Sequence, residues 1–288
     1  MNNKEYRNYL NILLCFFSII FFSFQSYENE LAICTIFRDD AKYLPEWIDF
    51  HKKQGVEKFY LYNNLSADNY QEILKPYIKS GLVVLVEWQI EQHSLNEWGS
   101  IQCEAYKNCI NLIKNKVKWC AFIDTDEFIF CPNKLKLNEF LKDFEEFQGV
   151  GANWVIYGTS NVKKISKKEK LLNRLVFRAQ DDFGPHIHIK SIVKVNEVES
   201  CTNPHFFIYK NGGHAVSENK ERIDGPFSPY ISFNKIRINH YWSRDLDFFY
   251  NIKLPRREKW GADSQSEISN EKIYMNDIYD PILSNTRR

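Results

Sequence analysis

The sequence predicts an α/β fold, with a mostly parallel central sheet flanked by helices and a more elaborate C-terminal half. Three observations predict it. Four short apolar runs alternate with helix-period segments between residues 31 and 123. The first, Leu31 to Phe37, is nearly continuous, as a strand buried on both faces must be. An acid cluster, Asp124-Thr125-Asp126-Glu127, follows the fourth run at once.

After the first strand, Asp39-Asp40 can cap a helix whose apolar positions Leu44, Trp47, Ile48 and His51 follow i, i+3, i+4, i+7 spacing. Pro45 suits its first turn and Gly55 its end. Lys58 to Tyr62 is the second strand, with Asn63-Asn64 at its carboxyl end. Tyr70 to Ile78 is a second amphipathic stretch, which Pro76 should shorten or kink before Gly81 stops it. Leu82 to Val86 is the third strand. Trp98 to Ile113 is a helix burying Ile101, Ala105, Cys109 and Leu112, and Trp119 to Ile123 is the fourth strand. In such a sheet ligands gather at the carboxyl ends of the strands.

The second half is less regular. Ala152 to Tyr157 and His186 to Val195 read as strands, and Lys163 to Lys170 as a solvated basic loop. From Ser264 the pattern is polar and weak, so 264–288 reads as a loosely held tail.

Composition narrows the function. The net charge of +1 gives no basic excess that would point to nucleic acid. The aromatic share of 16% offers stacking faces as well as core area. Seven cysteines contain no CxxC pair, so a zinc site is not expected. Cys34, Cys109 and Cys120 lie in apolar stretches and read as buried free thiols; a Cys131–Cys201 disulfide stays open.

Residues 1–27 form a separate segment. Leu10 to Phe24 is apolar but for Asn11, Ser18 and Ser23, with Lys4 and Arg7 before it and Glu28 and Glu30 after. The run falls between the length of a secretory apolar region and that of a bilayer span. An uncleaved signal anchor is the reading taken, ahead of a cleaved signal peptide or a surface segment. The charge order puts the rest of the chain beyond the membrane. That means a single-pass Golgi type II protein in a eukaryote, or an inner-membrane-associated one in a bacterium.

The acid cluster carries the chemistry. Three acids within four positions repel one another and are costly to desolvate. A divalent cation removes the cost, and oxygen ligands suit Mg²⁺ or Mn²⁺, which keep substrate phosphate oxygens in their shell. The bland alternative is acids that cap the next segment and face solvent.

Several segments resemble glycosyltransferase family 92 and related family-2-like transferases. They are Ile33 to Asp40, Tyr43 to Ile48, His51, Gly55 to Asn64, and Tyr77 to Gly81. Gln102, Ala105 to Asn108 and Trp119 to Phe128 continue the pattern in order. So do Trp154-Val-Ile-Tyr-Gly158 (with Tyr where the family has Phe), Lys190 to Val193, Pro204-His205 and Asn239-His-Tyr-Trp242.

The resemblance implies a GT-A catalytic domain over 28–263, with a nucleotide-sugar half at 31–130 and an acceptor half at 131–263. It implies metal-dependent, inverting transfer from a nucleotide sugar, in all expectation a UDP-sugar, to a hydroxyl of a glycan. Asp124 and Asp126 would then be the metal acids, with Asp124 also near the donor, and His240 a further ligand. Thr35, Arg38, Asn63, Gln102 and Asn108 would flank the donor. Lys253, Arg256 and Arg257 would neutralise the leaving diphosphate. Trp154 and Trp242 are either core or sugar-stacking residues. Inversion needs a base; Asp181, Asp182, Glu218 and Asp245 are the candidates, and Glu127 is either catalytic or structural.

Two other classes share these features. A metal-dependent nucleotidyltransferase or sugar-phosphate hydrolase would want a Gly-rich phosphate loop after the first strand, and Phe37-Arg-Asp-Asp-Ala41 is not one. A non-catalytic membrane-anchored binding protein would hold nucleotide sugar without turnover.

Overall fold

The computed structural model describes residues 26–284. Ten strands form the main sheet. β1 (Asn29–Phe37), β2 (Lys58–Asn63), β3 (Val83–Glu87) and β4 (Val117–Phe122) are parallel, in the order β4-β1-β2-β3. Between them run helices α1 (Leu44–Lys53), α2 (Tyr70–Lys79) and α3 (Leu95–Ile113), and the later half adds the short helices α4 (Leu137–Phe140), α5 (Leu171–Arg174) and α6 (Leu246–Phe248). This is the α/β pattern the periodicity predicted.

The sheet then becomes mixed. β5 (Glu127–Phe130) follows β4 directly. β6 (Gly149–Ile156) and β8 (Ile189–Lys194) run antiparallel to each other, and β8 pairs antiparallel with β4. Between these two in sequence lies the short β7 (Phe177–Arg178). β9 (Val198–Asn203) and β10 (Phe206–Tyr209) form a hairpin against α3. β11 (Ala215–Val216) and β12 (Arg222–Ile223) extend the sheet beyond β6. β13 (Arg237–His240) pairs parallel with β6 and antiparallel with β5.

The core lies on both faces of the sheet. One side packs Trp47, Phe59 and Trp119; the other packs Tyr106, Phe122 and Phe207. Six described cysteines are buried and free, including Cys131 and Cys201, so the open disulfide does not form.

Four local expectations are corrected. Asp39 and Asp40 do not cap α1: its N-cap is Tyr43, without a side-chain bond, because Asp40 is turned to other partners. α2 continues through Pro76 to Lys79. Leu112 lies on the open face of α3 and is exposed. The tail is not loose over its described length. It forms α8 (Ser264–Tyr274), and β14 (Ile278–Tyr279) pairs with β7. Buried Glu271 accepts the Thr159 amide at 3.0 Å, and Asp280 bonds Arg178 at 2.8 Å and Arg237 at 2.9 Å. Polar anchors hold this segment, so no apolar period announces it.

Nearly all of the anchor expected at 1–27 lies outside the described residues. Among the described residues no helix is long and apolar enough to cross a membrane.

Candidate active site

The acid cluster sits where the sheet ends. β1 and β4 run in parallel register up to Cys34 and Phe122, and the Ile123 amide donates to the Cys34 carbonyl. The chain then turns sharply. The Asp124 amide donates to Glu127 Oε2 at 2.8 Å, and the Glu127 amide returns to the Asp124 carbonyl at 3.1 Å. β5 leads away from the turn, and β13 pairs with it so that His240 lies opposite Glu127. The Tyr241 amide donates to the Asp126 carbonyl at 2.8 Å. Two distant segments are thereby locked around one point.

A cavity of about 490 Å³ opens there. Asp124, Thr125 and Asp126 form its floor, with His240, Gln102 and Trp154 beside them. Asp124 accepts Gln102 Nε2 at 3.1 Å and Lys190 Nζ at 2.9 Å. Asp126 lies 3.5 Å from His240 Nε2 and 3.3 Å from Lys253 Nζ. Thr125 donates to Asp40, whose other oxygen holds Arg244 at 2.5 Å. Arg244 takes a left-handed backbone, φ 52°, costly for a residue with a Cβ and typical of a constrained site.

The charges are tuned by burial and by these partners. Burial raises the Asp126 carboxyl, but Lys253 and His240 outweigh it and hold it well below the usual carboxylate range. Burial drives Glu127 the other way. Lys190 opposes, Asp124 and Asp126 reinforce, and Glu127 stays well above its ordinary value. Burial lowers His240 despite Asp126, which leaves a neutral imidazole with a lone pair. Lys253 is pushed down to about 8, by burial first and against the pull of Asp126.

The cationic wall has its own local cause. A π-helical turn, Phe249–Lys253, precedes α7 (Leu254–Lys259); such turns are rare and recur at functional sites. It carries Lys253 to the acid pair, and α7 adds Arg256 and Arg257 to the same cavity. Trp260, just past α7, stacks on Trp98 of α3 at 6.1 Å and 13°, and both rings line the cavity. Trp242 lies under the Lys253 ammonium at 4.4 Å.

The residues singled out from sequence divide cleanly. Asp124, Asp126, His240, Arg38, Gln102, Lys253, Arg256 and Arg257 line the cavity, as do Trp154 and Trp242. Thr35, Asn63 and Asn108 do not. Thr35 is buried within β1, Asn63 binds Glu87 at 2.6 Å, and Asn108 accepts the Tyr62 hydroxyl at 2.7 Å.

None of the four base candidates lines it either. Asp181 is exposed and paired with Arg178, and Asp182 is exposed. Glu218 is consumed by the backbone amides of Asn234, Lys235 and Ile236 and by the Ser232 hydroxyl. Asp245 caps a helical turn through the Phe248 amide and accepts the Ile165 amide, both at 2.8 Å. Sequence reasoning missed Lys190, Asp40, Arg244, Trp98, Trp260 and Glu267. Only Lys190 had a visible signal, a lysine inside an apolar strand.

Whether a cation fits can be judged from the donor set. Among the described residues no group of three or more His, Cys, Asp or Glu is arranged to hold a metal. Asp126 Oδ1 and His240 Nε2 nevertheless face each other at 3.5 Å, slightly wider than two adjacent ligands each about 2.1 Å from an octahedral Mg²⁺. His240 Nδ1 and Glu127 Oε1 are buried without partners and lie 3.9 Å apart. That pair is set to orient the imidazole from behind. Two side-chain ligands suit a cation that takes its remaining ligands from a diphosphate and water.

Comparison with known proteins follows the same lines. A glycosyltransferase family 92 model matches residues 29–269. A family 92 protein of Oryza sativa subsp. japonica is 27% identical over 244 residues, 83% of this chain and 38% of the rice protein. One of Arabidopsis thaliana is 30% identical over 201 residues, 65% of this chain and 33% of its own length. The beta-1,4-galactosyltransferase galt-1 of Caenorhabditis elegans is 28% identical over 112 residues, 37% of this chain and 26% of that protein. This chain thus spans well under half the length of these relatives. A crystal structure of S. aureus TarS 1-349 in complex with UDP is a distant likeness, with 12% identity and a TM-score of 0.38 over 65% of this chain and 60% of that one. On the match of the family model across most of its length, the chain belongs to glycosyltransferase family 92.

Proposed function

We propose that this chain transfers a sugar from a nucleotide sugar to a hydroxyl group of a glycan, in a GT-A-type cleft. The observation that carries the reading is a paired-acid floor, Asp124 and Asp126 at the carboxyl end of β4, faced by Lys253, Arg256 and Arg257. Acids alone would repel a diphosphate and cations alone would bind any anion. The two together suit a diphosphate carried with a divalent ion.

Asp126 and His240, with Asp124 beside them, would hold Mn²⁺ or Mg²⁺, and the ion would supply positive charge to the diphosphate. Lys253 and the two arginines supply the rest, as donors that strengthen while charge builds on the leaving group. Trp98 and Trp260 offer flat faces beside these cations, suited to a nucleobase or sugar ring. Lys190 and Gln102 fix the Asp124 carboxylate from behind.

The attacking hydroxyl must lose its proton. Of the cavity's carboxylates outside the acid pair, Asp40 is committed to Arg244 and Thr125. Glu267 is held at 2.6 Å by Arg257 through Oε1, while Oε2 has no partner. Glu267 replaces the earlier candidates for that role. Inversion is the stereochemistry the reading adopts.

Three relatives bear galactosyltransferase names, so UDP-galactose is the first donor to try. Residues 10–24 are proposed as a membrane anchor, which carbonate extraction of membranes tests. The activity test is UDP release from a panel of UDP-sugars, with and without Mn²⁺ and a mixed glycan acceptor pool. Release that needs the metal and vanishes in Asp126→Ala supports transfer. Binding without turnover on every acceptor would favour a binding protein instead.

A further inference from the structure

α8 was expected to be loose, yet it forms one wall of the cleft. Glu267, Asn270 and Met275 all line the cavity. The helix has no apolar face and is positioned by specific bonds. Asp263 caps it through the Gln265 and Ser266 amides. Glu271 holds the Thr159 amide, and the Met275 carbonyl accepts the Gly158 amide at 2.9 Å.

Residues 267, 270 and 274 fall on one side of a helix by their i, i+3, i+7 spacing. Tyr274 is 47% exposed, and its ring stacks on Phe183 at 5.9 Å and 28°. Phe183 stands two residues before Pro185, another cavity-lining residue. The stripe therefore starts inside the cleft at a carboxylate with an unpaired oxygen. It passes an amide and ends at an aromatic pair on the rim. From Glu267 to Tyr274 it covers about 10 Å along the helix axis, longer than one sugar ring.

We propose that this stripe binds the glycan chain that accepts the sugar, beyond its terminal residue. The inference rests on the transferase reading and names its acceptor as an uncharged oligosaccharide. The chemistry selects that class. Glu267 and Asn270 line the cavity and bring a carboxylate and an amide, groups that hydrogen-bond hydroxyls. The Tyr274–Phe183 pair offers a flat apolar face to a ring. The cleft's cations, Arg38, Arg244, Lys253, Arg256 and Arg257, all come from outside α8, and the stripe itself presents no cation. A glycan seated there would meet α8 with its inner residues and place its terminal residue at Glu267.

The test is titration of the full chain with β-1,4-galactotetraose, chitotetraose and cellotetraose, each beside its monosaccharide. The wild type binds at least one tetraose more tightly than the matching monosaccharide. Tyr274→Ala weakens that tetraose about fivefold, within the range of one aromatic contact, and leaves the monosaccharide unchanged. Tyr274→Phe retains the affinity, and Tyr250→Ala, a change at an exposed tyrosine off the stripe, does nothing. Thermal melts show that each variant is folded. Failure of the wild type to bind any tetraose at millimolar concentration, or equal binding by Tyr274→Ala, overturns the proposal. A parallel UDP titration separates the two claims: tetraose binding without UDP binding sinks the transferase reading and leaves the glycan surface standing.

Discussion

Replacing Lys190 by Met tests how the acid floor is held. Lys190 is 1% exposed, bonds Asp124 at 2.9 Å and lies 3.9 Å from Glu127. Burial alone would lower its pKa, but Asp124 and Glu127 reverse that and raise it, so the ammonium stays charged. Met keeps the stem's volume and opens no large cavity. What is lost is the cation, and what remains is a carboxylate without its partner. Breaking a fully buried pair costs about 3–5 kcal/mol. The Asp124 side chain is 30% exposed, so water takes up part of the loss, and roughly 2–3 kcal/mol is expected. For a domain of this size that lowers Tm by roughly 4–12 °C. Circular dichroism melts of wild type, Lys190→Met, Asp124→Asn and the double variant give the pairwise coupling. A coupling of about 1–3 kcal/mol is expected. A Lys190→Met melt within a degree of wild type, or strict additivity in the cycle, would refute the reasoning.

Four further outcomes follow from the same structure. Lys253→Ala would remove the proposed charge-assisted bond to the diphosphate, worth about 1.5–3 kcal/mol, so kcat/KM for the nucleotide sugar falls about 10- to 100-fold in steady-state assays. In the wild type, donor affinity should fall as pH climbs through about 8, where Lys253 gives up its proton. Gly158→Ala puts a Cβ 2.6 Å from the Met275 carbonyl oxygen; overpacking of this kind costs about 1–3 kcal/mol, and proteolysis should then cut first in 264–284. The Asp280 carboxyl, which burial would raise, is held below its ordinary range by Arg237 and Arg178. A depressed folded value stabilises above the unfolded pKa of about 3.9 and is lost as pH falls through the folded one. Urea titrations between pH 6 and 2 should therefore show a shallower acid loss in Asp280→Asn than in wild type.

The first half of the chain was legible because parallel strands bury both faces. Their apolar runs and the helical periods between them need no tertiary knowledge. The acid floor was legible for the complementary reason: three acids in four positions are costly unless something offsets them. The rest depended on contacts that sequence distance hides. Asp40 looks like a helix cap, yet it binds Arg244, 204 positions away. Glu218 and Asp245 look like free acids until their oxygens are seen to satisfy backbone amides. α8 has no apolar stripe, because single polar anchors and backbone bonds hold it, so periodicity reads it as tail. Glu267 and Asn270 went unseen with it. Thr35, Asn63 and Asn108 lie near the correct strands and helix, but strand alternation and helix phase turn them away from the cleft.

The most direct test is calorimetric titration of UDP into the protein with Mn²⁺, with Mg²⁺ and with EDTA, for wild type, Asp126→Ala and His240→Ala. Binding should require the cation and be lost in both variants, while their melting curves still show a folded domain. UDP binding of equal strength in EDTA, or binding unchanged in Asp126→Ala, would contradict a diphosphate site built on that acid.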